Sequence, residues 1–523
     1  MLFNGRFNED LTECTEVDVD NGFCYGGASR LMTAVENIRK TDDYVLLLDA
    51  GDQYQGTLWH VVHRHRPIVD MMNLLRYDAM SLGNHEFDHG IAGLEPFVNG
   101  VNFPVLAANV KLEKSALNLH IQNWIRFKIA NISVGIIGFI TPETATLSSP
   151  GPDVLFEDII PSLKIQIQRM RQEGVDFIIA LGHAGIEMDR LICQTVPGVD
   201  LVVGGHSNTF LYTGPVPSVE NAVGPYPEVY GDDRRHCLVV TSYAFGKYLG
   251  SLRLQLDELK NGSIMKWAGN PILLDKRFTE NEQMTELLKP YSAMLDVYKK
   301  KTIGKTMVEL NGMCRISECN VGNLITDAVV EASIRKSEFD HSNSGLVVIV
   351  NGGSIRNFKL TSKSNFTMAD LYHMVPFRND FVHLTINGSQ LLDVFEHSVS
   401  GYSTTNALGK FLQISGARVF YDLKQPAGKR VRSVLIRCQA CSLPRFERLK
   451  LNSIYSLMTN TFLAKGGDAY SMLADVKYNN RLSSISDVEA VLGYFKRHSP
   501  VTVGLEGRIM FTDDDLYVAT CQS

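Results

Sequence analysis

Ser81-Leu82-Gly83-Asn84-His85-Glu86-Phe87-Asp88 is the stretch from which the rest of the chain is read. The apolar run 79–82 reads as a buried strand that stops at Gly83, where the backbone can turn tightly and carry Asn84 and His85 beyond the strand end. An amide and an imidazole side by side, with Asp88 three residues past His85, supply a neutral oxygen ligand, a proton donor and a carboxylate to orient the imidazole. Working outward, the pattern recurs. Residues 44–48 lead into Asp49-Ala50-Gly51-Asp52, residues 177–181 into Gly182-His183, and residues 201–203 into Gly204-Gly205-His206. One such histidine alone reads as a satisfied core residue. Because ligands collect at the carboxyl ends of strands in open α/β sheets, four together are expected to converge: Asp52, Asn84, His183 and His206 form one site. Carboxylate, amide oxygen and imidazole suit zinc, manganese or a similar divalent ion.

At 523 residues the chain exceeds one core, and about 150 residues per domain allows two to four domains. A net charge of -6 argues against a nucleic-acid partner. No run of about 18 apolar residues is present to span a membrane. Met1-Leu2-Phe3-Asn4 passes into polar sequence without a secretory leader. The nine cysteines include the close pairs Cys14/Cys24, Cys314/Cys319 and Cys438/Cys441, plus Cys193, Cys237 and Cys521. Cys438-x-x-Cys441 could be half a zinc knuckle or a redox motif, but no second such pair completes a zinc site, so disulfide staples are the better reading. Sequons at Asn131, Asn261, Asn365 and Asn387 agree with an extracellular glycoprotein.

Gly51-Asp52-Gln53-Tyr54-Gln55-Gly56, Gly83-Asn84-His85-Glu86, Gly182-His183 and Gly205-His206-Ser207-Asn208 resemble the signature blocks of the calcineurin-like metallophosphoesterases. The C-terminal half narrows the resemblance to the 5′-nucleotidase family, secreted arthropod apyrases included. It implies an α+β, two-domain α/β architecture. A four-layer α-β-β-α metallophosphoesterase domain spans 1–277, a linker helix 278–301, and an α/β substrate-binding domain 302–523. It also implies two divalent ions, bridged by Asp52, with Asn84, His183 and His206 on the second and Asn208 beside the first. His85 takes the catalytic role, stabilising the transferring phosphoryl group and the leaving oxygen, with Asp88 fixing its orientation. His89 is expected to face solvent, and His60, His63 and His65, interleaved with Arg64 and Arg66, to form a charged surface segment. The helix expected over 26–39 follows the Cys14/Cys24 loop. The resemblance implies local disulfides at the three close cysteine pairs, hence an oxidising compartment.

The polar stretch 278–301 reads as a solvated connecting helix, which in the family joins two domains that rotate relative to each other. Beyond it come Cys314-Arg315-Ile316-Ser317-Glu318-Cys319 and Asn351-Gly352-Gly353-Ser354-Ile355-Arg356. Guanidinium forks at Arg315 and Arg356 suit a phosphate, although either arginine taken singly reads as a structural ion pair. Phe377 and Phe462 read as core by type. The resemblance makes them the two rings that clamp a nucleobase, with Asn351 bonding the base beside the Gly353 turn and Asp468 accepting from the ribose. Arg378-Asn379 departs from the small residues of relatives. A family disulfide is replaced by Thr326 and Val348.

Upstream of Gly5-Arg6-Phe7, Leu2 and Asn4 stand where the family carries an aspartate and a histidine of its first metal site. A chain that begins inside a longer sequence accounts at once for this and for the missing leader; loss of the first metal site is the alternative. The chain's last residues carry no hydrophobic tail for a lipid anchor, which favours a secreted form. The expected activity is conversion of AMP to adenosine. An apyrase acting on ATP and ADP is the enzymatic alternative, and a silent nucleotide or adenosine binder the alternative of another class. A homodimer through the C-terminal domain is implied by the family.

Overall fold

The computed structural model describes residues 14, 16–54, 57–112, 120–232, 235–257, 262–336, 345–356, 358–404, 407–438, 441–474, 476 and 482–512. Leu2, Asn4, Gln55, Gly56, Asn261 and Cys521 lie outside them, as do residues 513–523. The chain divides into two compact units, Met1–Met294 and Leu295–Ser523.

The first unit is built on two sheets. One is parallel, in the order Leu48–Asp49, Ala79–Ser81, Val105–Leu106, Ile121–Gln122. The other runs Glu228–Asp232, Arg235–Val240, Leu201–Val203, Phe177–His183, Ile132–Ile140, Trp124–Ile129, parallel at its centre and antiparallel at both edges. The central strands are apolar on both faces, as strands covered on both sides must be. Phe177–His183 is buried at every position. The two sheets touch closely: Ser81 Oγ donates to the Phe139 carbonyl at 2.9 Å, and Ala79 and Leu106 share a core with Ile136, Phe139 and Leu181. Helices Ala28–Thr41, Ile159–Gln172 and Ile186–Thr195 each bury one face.

Three readings of this unit change. The ladder expected over 44–48 is paired only at Leu48–Asp49, because the Asp78 carboxylate takes the Leu47 N–H at 2.7 Å in place of a strand partner. The segment around His60 is a charged surface only in part: Arg66 is exposed and His63, Arg64 and His65 are half-buried, but His60 is 1% exposed, inside the helix Leu58–His63, and packs on the Tyr54 ring. His89 does not simply face solvent; it is half-buried and stacks on His60. A fourth disulfide, Cys193–Cys237, joins Cys14–Cys24, Cys314–Cys319 and Cys438–Cys441; its partners are 44 residues apart, too far for local spacing to pair them.

The second unit carries a five-stranded sheet in the order Leu412–Ser415, Leu346–Asn351, Ile454–Asn460, Asp380–Asn387, Leu482–Ser486. Period-2 geometry splits the strand Leu346–Asn351 between two cores. Leu346, Val348 and Val350 meet the helices Asn320–Arg335 and Asp487–His498, while Val347 and Ile349 meet Gly388–Ser398. The helix Glu282–Lys300 is less solvated than its charges imply, since Met284, Leu288 and Leu295 are buried. Among the described residues no helix is long and apolar enough to cross a membrane.

Candidate active site

Four strand ends of the first unit deliver the expected side chains. Asp52 follows Leu48–Asp49, Asn84 follows Ala79–Ser81, His183 ends its own strand, and His206 follows Leu201–Val203. Donor atoms of Asp52, His183 and His206 all lie within 4.8 Å of one another. The loops meet through glycine: a Cβ on Gly83 would stand 2.3 Å from Asp52 Oδ1, and one on Gly51, where φ is +90°, 2.5 Å from the Gly83 nitrogen. Asp52, His206 and Asn208 also hold positive φ without being glycine, at 62°, 77° and 52°. Such strain clusters where surrounding structure enforces a functional geometry.

The donor set fits a metal. His183 gives its Nδ1–H to the Ala50 carbonyl at 2.7 Å, which leaves Nε2 as the atom that would meet an ion, in exchange for its proton. That Nε2 is ion-paired with Asp52 Oδ2 at 2.9 Å, close enough for the two to be ligands of one ion. Asn84 Oδ1 is likewise buried with no hydrogen-bond partner. A buried oxygen left unpaired is costly unless a cation satisfies it. Asp52 is held ionised, well below the usual carboxylate range: burial opposes the charge, but His183 and His85 outweigh it. Burial works against a charged His183 too, yet Asp52 raises it to about 9. His206 is pushed down to about 4 by burial and by His183, so it offers a neutral imidazole. Asn208 sits exposed two residues beyond it.

His85 and Asp88 are paired as expected, Nδ1 to Oδ2 at 2.7 Å. Two residues that sequence reasoning left without a role complete this turn. Ser148 donates to Asp88 Oδ1 at 2.8 Å, so the orienting carboxylate is itself oriented. Glu86, fully buried, accepts the backbone N–H of Gly83 and Asp52 on Oε2 at 2.7 and 2.8 Å, and that of Tyr54 on Oε1 at 2.9 Å. Burial and the neighbouring Asp52 raise it to about 7. Its place in the Gly-Asn-His-Glu block was the available signal.

In the second unit several of the expected residues meet at the ends of two interior strands of the five-stranded sheet. Asn351 and Asn460 end neighbouring parallel strands; Asn460 Nδ2 donates to Asn351 Oδ1 at 3.0 Å, and Asn351 Nδ2 donates to Asp468 Oδ2 at 2.6 Å. Asp468 has φ +52°, and its carbonyl lies 2.9 Å from His397 Nε2. Gly353 lies against Gly409, its N–H bonded to the Gly409 carbonyl at 2.8 Å. Arg315 is pulled below the usual guanidinium range by burial, with Asp468 acting the other way. Arg356 lies over the Phe377 ring, 5.1 Å from its centroid. Phe377 and Phe462 are half-buried rather than core, and Phe462 packs against Gly467. Arg378 stacks on Tyr372 at 4.4 Å, while the Asn379 backbone binds Asp487.

Comparison with known proteins matches both halves of the chain to families. Residues 11–210 match the family described as calcineurin-like phosphoesterase, and residues 302–475 that described as 5′-nucleotidase, C-terminal domain. The chain is 43% identical to the snake venom 5′-nucleotidase of Crotalus adamanteus, covering 98% of this chain and 87% of that protein. It is 41% identical to the 5′-nucleotidase of Homo sapiens, covering 97% and 88%. Among solved structures, the 5′-nucleotidase precursor from Thermus thermophilus superposes with a TM-score of 0.83 at 31% identity, covering 97% of this chain and 96% of that one.

Proposed function

The chain belongs to the 5′-nucleotidase family of metal-dependent phosphoesterases, and from that premise we propose that it hydrolyses AMP to adenosine and phosphate. The observation that carries this reading is the buried Asn84 Oδ1, which has no hydrogen-bond partner, set beside the ionised Asp52 and the His183 Nε2 that lies 2.9 Å from it. Asp52, Asn84, His183 and His206 would hold two divalent ions, zinc or manganese, with Asn208 beside the first. When bound, such ions polarise the phosphoryl oxygens and acidify the attacking water. His85, oriented by Asp88, donates toward the leaving ribose oxygen and meets the charge that develops there. Arg315 and Arg356 take the phosphate. Phe377 and Phe462 hold the base by stacking, Asn351 bonds its edge, and Asp468 accepts from the ribose hydroxyls. Four disulfides support an oxidising, extracellular setting.

The test is phosphate release from AMP, ADP and ATP by the purified chain with zinc or manganese supplied. Release from AMP, abolished by His85→Ala, supports the proposal. Preferential release from ATP and ADP would make the protein an apyrase. Adenosine binding without release, with either metal, would leave only a binding protein.

A further inference from the structure

The turn that presents Asp468 is held by groups that the proposed reaction leaves unused. Asp468 and Ala469 follow one another with φ +52° and +62°, in the left-handed region that residues with a Cβ rarely enter in succession. Such a backbone persists only where its surroundings enforce it. Here Asn351 Nδ2 donates to Asp468 Oδ2 at 2.6 Å, the Tyr470 N–H bonds the Gly467 carbonyl at 3.1 Å, and His397 Nε2 lies 2.9 Å from the Asp468 carbonyl. A carbonyl can only accept, so His397 donates from Nε2, in its neutral as in its charged form.

The imidazole is itself held in place. The fully buried Tyr470 packs its ring edge-on against it, with 4.5 Å between centroids and 75° between planes. The Tyr470 hydroxyl donates to the Lys410 carbonyl at 2.6 Å, Lys410 Nζ donates to Ser400 Oγ at 2.8 Å, and Ser400 Oγ donates to the His397 carbonyl at 2.9 Å. The contacts thus close a ring that ties the last turn of the helix Gly388–Ser398 to the Asp468 turn.

The two oxygens of Asp468 are left with different tasks. Oδ2 is committed to Asn351, whose own Oδ1 accepts from Asn460 Nδ2 at 3.0 Å and from Ser354 Oγ, so reversing that amide would set donor against donor. Oδ1 makes no hydrogen bond among the described residues. Gly409 backs the carboxylate closely: a Cβ there would stand 3.3 Å from Oδ2 and 3.6 Å from Oδ1.

We propose that His397 is a positioning residue for ribose recognition: by holding the Asp468 carbonyl it keeps the left-handed turn that leaves Oδ1 open to a sugar hydroxyl. It acts through the backbone of Asp468 rather than on the nucleoside. The inference rests on the reading of Asp468 as the acceptor for the ribose, and the test separates the two.

Affinities for adenosine, 2′-deoxyadenosine and 3′-deoxyadenosine are measured by calorimetry on the unaltered full chain and on His397→Phe, His397→Asn, His397→Gln and Asp468→Ala. Phenylalanine keeps a ring against Tyr470 without the N–H, asparagine is too short to reach the carbonyl, and glutamine can place an N–H where the imidazole had one. Ratios are compared, because a ratio of two affinities on one preparation does not depend on its folded fraction. The unaltered chain should prefer adenosine to at least one deoxynucleoside roughly tenfold or more, as a hydroxyl bonded to a carboxylate implies. Asp468→Ala, His397→Phe and His397→Asn should each bring that ratio within about twofold of unity, while His397→Gln keeps most of it. If Asp468→Ala loses the preference but His397→Phe keeps it, weakens all three nucleosides alike, or matches an equal loss in His397→Gln, the inference is overturned and the reading of Asp468 stands. No preference in the unaltered chain, or one that survives Asp468→Ala, overturns both.

Discussion

Glu86 illustrates how much of an active site can rest on a side chain that touches no substrate. Its carboxylate closes three backbone N–H groups, those of Gly83, Asp52 and Tyr54, and so locks the loop of Asp52 to the turn of Asn84 and His85. Intramolecular hydrogen bonds are worth about 0.5–1.5 kcal/mol each, and the low dielectric around a buried carboxyl group makes the loss of one felt more. Glu86→Gln replaces one oxygen with an amine that opposes a backbone donor. Its metal affinity should fall roughly 10–100-fold, as happens when the groups that orient a metal's ligands are changed, and kcat should fall with it while adenosine binding is unchanged. Metal titration by calorimetry, with adenosine titration as control, checks this. Asn84→Ala, which removes the lone oxygen rather than its support, should lose metal outright and abolish phosphate release, as metal analysis and a phosphate assay will read. A chelator should likewise silence the unaltered chain, and zinc or manganese should restore it.

At the scale of elements, the helix Asp487–His498 shows a different use of a buried acid. Asp487 accepts the N–H of Asn379 at 3.0 Å and of Val488 at 2.7 Å, fastening the helix start to the turn beyond Phe377. Burial raises it to about 7, against about 3.9 for an unfolded aspartate. Below the lower value both states are protonated. Between the two the unfolded chain ionises alone, so stability declines as pH rises and the decline ends above the folded value. Three units correspond to an order of about 4 kcal/mol, an upper figure for a group with two donors nearby. Asp487→Asn should remove that part of the decline, so Tm of the unaltered chain should fall more than that of the variant between about pH 5 and pH 8. Elsewhere, the strand runs that end in glycine and a ligand were legible because periodicity and turn chemistry are local. Strand Leu201–Val203 and helix Ala28–Thr41 lie where the pattern put them. What sequence could not carry was partnership at a distance. Ser148 meets Asp88 across 60 residues, Cys193 meets Cys237 across 44, and the polar letters of His60 and Arg64 gave no sign of their contacts with His89. The ladder over 44–48 failed for the same reason, because Asp78, not a strand neighbour, supplies the acceptor for Leu47.

For the molecule as a whole, the two units have separate cores. One is centred on Ile136, Phe139 and Leu181, and the others lie on the two faces of Leu346–Asn351. Units with their own cores unfold as separate transitions unless their interface couples them strongly, and a ligand that binds one folded unit raises the transition of that unit. Zinc should therefore raise the transition of the unit carrying Asp52 and His183, and adenosine that of the unit carrying Phe462 and Asp468. At a hundredfold excess over Kd each ligand adds about 2.7 kcal/mol to its unit, enough to separate two overlapping peaks in a calorimetric scan. Phe462→Ala, which removes one stacking ring worth about 1–3 kcal/mol, should erase most of the adenosine shift and leave the zinc shift intact. The reciprocal result is expected of His183→Ala. A single transition moved equally by both ligands would mean instead that metal and nucleoside report to one cooperative body, and the division of labour between the two units would have to be abandoned.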